Sequence, residues 1–259
     1  MSETVMPTVD TPGQDASLTT GGELFAVVDV LDSQIQARRA LSDPNLGADG
    51  RVDLARHLLE SKITASAFDI VAATVRNEFA SSRQLVDSLE RGAIRVTLSG
   101  AADPELVRRQ LFDFGRLVNA DPRLSAVLAD RSAPAQARQE LVSKLLAESG
   151  VEPATRLLVQ RAARARSRDF GRTIAGYVRM ASALRGHLAV RVSIARPLSA
   201  EQEATLRAQL SRIYGTPVDL DFETRPDVIG GVRVQIGTDI IDGTVAARLD
   251  AARRAISEH

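Results

Sequence analysis

The apolar residues of this chain change their spacing once. Up to about Gly186 they recur every three or four residues, the period of a helix face. Beyond that point they alternate. Leu188, Val190, Val192 and Ile194 are separated by Ala189, Arg191 and Ser193, the pattern of a half-buried strand. Val218, Leu220 and Phe222 alternate again, as do Val232, Val234 and Ile236. A sequence divided this way encodes a mainly α protein: a helical bundle followed by a small α+β domain.

The helical part can be taken in order. Residues 1–22 are polar, with Pro7, Pro12 and Gly13, and read as a flexible N-terminal arm. From Glu23, Leu24, Val27, Val28, Leu31 and Ile35 make one stripe, stopped by Ser42-Asp43-Pro44. A second helix carries Val52, Ala55 and Leu59, and a third carries Phe68, Val71, Ala72, Val75 and Phe79. Arg83 to Leu98 reads as helix, although Ala93 to Leu98 could also be extended. Asp103-Pro104 and Asp121-Pro122 each place a capping carboxylate before a proline at the first helical position. Pro134, Pro153 and Asp169 open three more helices, with Gly150 placed to stop the first of these. In the α+β part, Ser199 and Gln202 fit a capping box, with Leu206, Leu210 and Ile213 expected on the buried face of that helix.

One segment repeats at an offset of 87 residues. Residues 40–59 align without gaps on 127–146. Leu41, Asp43, Ala48, Arg51, Leu54, Leu58 and Leu59 are identical to Leu128, Asp130, Ala135, Arg138, Leu141, Leu145 and Leu146. Leu24-Phe25 likewise matches Leu111-Phe112. The repeat implies a duplicated helical unit, divided as 23–102 and 103–186, ahead of a domain at 187–259. Similar amphipathic helices without common descent are the alternative reading.

Composition narrows function by exclusion. The formal charge is zero, with 33 basic and 33 acidic residues, which argues against a wholesale electrostatic partner. There is no cysteine, hence no disulfide, thiolate metal site or cysteine nucleophile. Lys62 and Lys144 are the only lysines, a bias that reads as a GC-rich genome rather than a function. No apolar run reaches the roughly 20 residues of a membrane helix. No signal-peptide pattern opens the chain. Work at a membrane would therefore depend on a partner.

Motifs for chemistry also fail. Gly230-Gly231 is followed by a strand rather than a helix N-terminus, and no Gly-Lys-Ser/Thr accompanies it, so a phosphate cradle is not expected. Asp169-Phe170-Gly171 imitates a kinase triplet without its companions, and Phe170 reads as a core residue. His57, His187 and His259 lack helical partners for a metal face. The basic run Arg161, Arg164, Arg166, Arg168 and Arg172 has three readings: a solvated face, a protein contact, or a nucleic-acid contact. Arg248, Arg253 and Arg254 are similarly open.

The densest punctuation lies near the end. Gly230-Gly231 precedes one strand, Gly237-Thr238-Asp239 turns it, and Ile240-Ile241 begins the return. Asp242-Gly243 ends that strand, and Thr244 can cap a helix with Val245, Leu249, Ala252 and Ile256 on one stripe. Ile229-Gly230-Gly231, Gly237, Ile241-Asp242-Gly243-Thr244-Val245 and Arg248-Leu249 together resemble the C-terminal signature of the delta subunit of bacterial F-type ATP synthase. That family is related to the mitochondrial oligomycin-sensitivity protein. The duplication resembles the enlarged delta subunits of actinobacteria. The resemblance implies a non-catalytic peripheral-stalk protein with no cofactor and no metal. It implies partners at two ends, the N-terminal segments of the alpha subunits and the b subunit, and a peripheral place on the cytoplasmic face of the cell membrane. Ile229, Gly230, Gly231, Gly237, Ile241, Asp242, Gly243, Val245, Arg248 and Leu249 are then the docking candidates. A helical adaptor sharing only the terminal module is the alternative. A nucleic-acid binder is a weaker one.

Overall fold

The structure of the protein is a computed structural model that describes residues 14–130, 132–147, 149–165, 169–225, 231–237 and 239–242. The helices are α1 (Gln14–Ser33), α2 (Ile35–Ala40), α3 (Gly47–Leu59), α4 (Ala65–Val75), α5 (Ser82–Ser99), α6 (Pro104–Ala120), α7 (Pro122–Ala129), α8 (Ala135–Leu146), α9 (Pro153–Arg164) and α10 (Phe170–Leu184). Then come β1 (Leu188–Ile194), α11 (Ala200–Tyr214), β2 (Val218–Thr224), β3 (Val232–Ile236) and β4 (Asp239–Asp242).

The helix starts follow local chemistry. Thr64, Ser81, Asp103, Asp121 and Asp169 each accept a hydrogen bond from a backbone N–H of the first turn they precede. Pro104, Pro122 and Pro153 occupy first-turn positions where no N–H partner is lost. At α11 both halves of the capping box form, with Ser199 and Gln202 bonding each other's backbone N–H.

The duplicated unit is visible in three dimensions. Adding 87 to the numbering carries α1 to α4 onto α6 to α9, and α5 lies opposite α10. The pairing is repeated as well: α1 packs on α5 and α4 as α6 packs on α10 and α9. Arg51 and Arg138 carry the correspondence to single atoms. The Arg51 guanidinium donates from Nε to the Val75 carbonyl at 2.7 Å and from Nη1 to the Asp43 carbonyl at 3.2 Å. Arg138 donates from Nε to the Ala163 carbonyl at 3.0 Å and from Nη1 to the Asp130 carbonyl at 2.7 Å. Each buried cation thus satisfies carbonyls at the C-terminal end of the next helix and in the loop before its own. One continuous core, from Leu24 to Ala181, runs through both units.

A second core joins the sheet to α11, built on Val190, Val192, Ile194, Leu210, Val218, Leu220, Val234 and Ile236. The strand order is β2-β1-β3-β4. β1 and β2 are parallel, with α11 as the crossover, and the other pairings are antiparallel.

Four local expectations change. The first helix begins at Gln14, not Glu23, because Ser17 and Thr20 are buried where α1 meets α5. It ends at Ser33, so Ile35 starts a new helix out of phase and is exposed. α4 ends at Val75, where the Arg51 clamp takes its last carbonyl; Phe79 packs on the core from the following loop. In α11 the buried stripe is Leu206, Leu210 and Tyr214, spaced four apart, and Ile213 is 66% exposed. Residues 93–98 are helical throughout, with Ala93, Thr97 and Leu98 buried.

Candidate functional site

The end of the sheet carries the described part of the C-terminal motif. Gly231 and Gly237 both adopt positive φ, +79° and +59°, conformations that side-chain-bearing residues rarely take. Gly237 turns β3 into β4, and Gln235 Nε2 donates to its carbonyl at 3.3 Å. β4 is the edge strand, with Ile240 and Ile241 opposite Gln235 and Val234. Ile240 and Ile241 are 50% and 48% exposed, two large apolar side chains on an unpaired edge. The motif therefore ends, among the described residues, in a strand with apolar side chains available to another surface. Asp242 closes β4 opposite Arg233. Ile229, Gly230, Gly243, Val245, Arg248 and Leu249 lie outside the described residues, as do Arg166, Arg168, Arg253 and Arg254.

The sheet is tied to the bundle by a buried charge cluster that the sequence pattern did not announce. Arg108 on α6 is only 4% exposed. It bonds Asp221 on β2, lies 3.5 Å from Asp219 and bonds Glu105 twice, at 3.0 Å each. Arg185 bonds Glu105 and reaches Asp219 at 3.3 Å, while His187 Nδ1 sits 2.7 Å from the Asp219 carboxylate. Burial works against ionising Arg108, but Glu105 and Asp221 outweigh it and hold the guanidinium above its ordinary range. Burial pushes the Asp221 carboxyl up, against the pull of Arg108. Burial also opposes ionisation of Asp219, yet its bond with His187 and the nearby Arg108 and Arg185 bring it below the ordinary range. The signal was the alternation Val218-Asp219-Leu220-Asp221-Phe222, which sends two aspartates to the sheet face turned toward α6. The partner stands over a hundred residues away and is invisible to any local pattern.

A second ion-paired joint links the two helical units. Arg161 on α9 is 6% exposed and bonds Asp29 on α1 at 2.5 Å and Glu90 on α5 at 2.8 Å. Its Cζ stands 5.2 Å from the Phe25 ring centroid, a cation–π contact. Arg164 adds a 2.8 Å contact to Asp29. The first two members of the basic run are thus structural staples inside the protein. Arg172 pairs with its own helix cap, Asp169, at 2.9 Å. Phe170 is buried edge-to-face on Phe114, centroids 5.9 Å apart, as a core residue.

Between α6, α10 and the sheet runs a groove of about 840 Å³. Phe112, Gly115, Ile174 and Val178 make its apolar floor, with Arg116 and Arg179 on its rims. Ala189, Arg191 and Gln235 face it from the sheet.

Among the described residues, nothing brings a nucleophile, a base and a substrate pocket together. The arrangement offers surfaces, joined by rigid connections. The ATP synthase delta (OSCP) subunit family matches residues 96–256. The chain is similar to ATP synthase subunit delta of Streptomyces coelicolor, 36% identical over 91% of this chain and 87% of that protein. It is similar to the protein of the same name from Thermobifida fusca, 33% identical over 92% and 90%. Kineococcus radiotolerans has another, 34% identical over 95% and 90%.

Proposed function

The chain belongs to the ATP synthase delta (OSCP) subunit family, and from that premise we infer that its work is mechanical. It is a non-catalytic subunit of the peripheral stalk of F-type ATP synthase, of the enlarged kind found in actinobacteria. It links the alpha subunits of the catalytic head to the b subunit and resists the torque of the rotor during ATP synthesis. It is a peripheral component on the cytoplasmic side of the membrane. No described helix is long and apolar enough to cross the bilayer. The observation that carries the reading is the family match through the second helical unit and the sheet, with relatives aligned along most of the chain.

A stator must not yield between its two docking ends, and the features of this fold suit that duty. One core runs through both helical units. Arg161 ties the units to each other, and Arg108 ties the second unit to the sheet. In each joint, charges buried with their partners give a connection with few alternative geometries.

We place the working boundaries at 23–102 for the additional unit, 103–186 for the second unit and 187–259 for the C-terminal domain. α1 begins at Gln14, so the additional unit extends ahead of that boundary. The family match begins at residue 96, which supports the first unit as the addition. The b subunit is assigned to the C-terminal motif, where Gly231, Gly237 and Ile241 shape the hairpin. Ile229, Gly230, Asp242, Gly243, Val245, Arg248 and Leu249 complete that proposed surface.

The test is reconstitution. The purified chain should restore proton-pumping coupling to membranes depleted of this protein and bind a catalytic head lacking it. It should bind no ATP by calorimetry. Failure to bind both the head and a peptide from the C-terminal end of the b subunit would overturn the reading.

A further inference from the structure

In the first helical unit, the seam between α1 and α5 is covered by a helix of the second unit, α9. The covering helix docks through Arg161 and Arg164 onto Phe25, Asp29 and Glu90. Asp32, the other carboxylate at this joint, is held by Arg83 at 2.6 Å. Each acidic group there thus has a guanidinium partner from within the chain. The space left among them is a cavity of about 60 Å³, room for water and little else.

The other end of the same seam is shut by close contact. Gly21 on α1 and Gly100 at the end of α5 are both buried. A Cβ on Gly21 would overlap the Thr97 hydroxyl, and one on Gly100 would overlap the Ser17 side chain. Helices that approach this closely leave no room between them for a third element. The offset of 87 carries Gly21 to Arg108 and Gly100 to His187. These are the residues with which the second unit holds Asp221 and Asp219 of β2. The end that is sealed in the first unit is therefore the end that seats the sheet in the second.

We propose that the additional unit is a brace and not a second docking domain: its α1–α5 seam is closed to other polypeptides, by α9 along one half and by the glycine contacts along the other. Its permanent occupant is a segment of its own chain. The brace acts on α9, which is packed against α6, α8 and α10 on its own unit's side and against α1 and α5 on the other. A helix held from both sides has few ways to shift under load. This role rests on the stator reading above and names what the additional unit contributes to it.

Three measurements test it, all on the full chain. The first compares hydrogen exchange of the wild type, free and bound to the catalytic head. Exchange in α1 and α5 should change by less than about twofold on binding. A larger slowing in either helix means that the seam takes a partner, which overturns the brace and leaves the stator reading standing. No binding of the wild type to the head sinks both. The second locks the joint. The chain has no cysteine, so Asp32→Cys with Ala165→Cys carries two thiols only, both lining the cavity between the units. The same variant, before and after joining by a short bis-maleimide, should bind the head with affinities within about twofold. Weaker binding after locking means that the seam must open, and overturns the proposal. The third concerns the sealed end. Gly21→Ala should lower the urea midpoint by roughly 0.5 M, and adding Thr97→Ala, which removes the overlapped hydroxyl, should recover part of that loss. An unmoved midpoint, or no recovery, overturns the seal.

Discussion

The two helical units share their inside and differ at their surface. Arg51 and Arg138 hold the same kind of carbonyl in the same kind of loop, 87 residues apart. Position 161, by contrast, is an arginine stapled to the other unit, while its equivalent in the first unit is Thr74. The Thr74 hydroxyl merely bonds the Ile70 carbonyl of its own helix at 2.7 Å. The lesson is about which constraints survive duplication. A buried cation that satisfies helix-end carbonyls is required by the unit's own packing, so both copies keep it. A seam residue answers to whatever covers the seam, and the two seams have different neighbours.

The joint between the units is where that contrast breaks most visibly. Arg161→Ala strands the partly buried Glu90 carboxylate, leaves Asp29 to Arg164 alone, and should cost the helical part about 3 kcal/mol. Thr74→Ala removes one local hydrogen bond and should cost about 1 kcal/mol. Urea denaturation followed by circular dichroism measures both, and similar losses would mean that the joint between units is not asymmetric.

Next comes the junction with the sheet. Arg108→Met should cost about 3 kcal/mol and fall on the attachment of the C-terminal domain, leaving the bundle's own hydrogen-exchange protection intact. The junction should also be acid-sensitive through Asp219. Asp219 has a folded value below its ordinary 3.8, so its stabilisation is complete above that value and is lost as pH falls through the folded one. Asp221 is shifted upward, so its ionisation opposes docking above its folded value, and that cost is absent below 3.8. Asp219→Asn should therefore remove the acid-induced loss of docking. A wild-type profile with no loss below pH 4 would contradict this assignment.

The equivalence of the clamps is a subtler test. Arg51→Met and Arg138→Met should each cost about 2 kcal/mol, since each leaves buried carbonyls without donors. A difference much larger than their common value would show that the units have diverged inside as well as outside. The smallest effect belongs to Gly237→Ala. No heavy atom crowds the position, so the cost is conformational, about 1 kcal/mol for a side chain at φ +59°. It should weaken the sheet and leave both helical units unaffected.

Much of this was legible in the residues. The change of period near Gly186 marked the border between bundle and sheet, because each backbone geometry imposes its own spacing on buried side chains. Capping residues placed most helix starts, because an unsatisfied N–H acts over only three or four residues. The paired arginines at 51 and 138 marked the duplication, and Gly231 and Gly237 marked backbone that only glycine adopts readily. The basic run was legible as charge but not as structure, since whether Arg161 meets water or Asp29 depends on a residue 132 positions away. Ile213 and Tyr214 traded places on the buried stripe for a similar reason: which neighbour covers the last turn is not written in the helix itself. The sequence by itself thus determined period, caps, turns and repeat, all local to a few residues or to a comparison of the chain with itself. Only the tertiary structure decided that α9 packs against α1 and α5 of the first unit, and that Arg108 belongs to the aspartates of β2. Charges on distant elements exert no force that orders the chain until burial brings them together and removes the water between them.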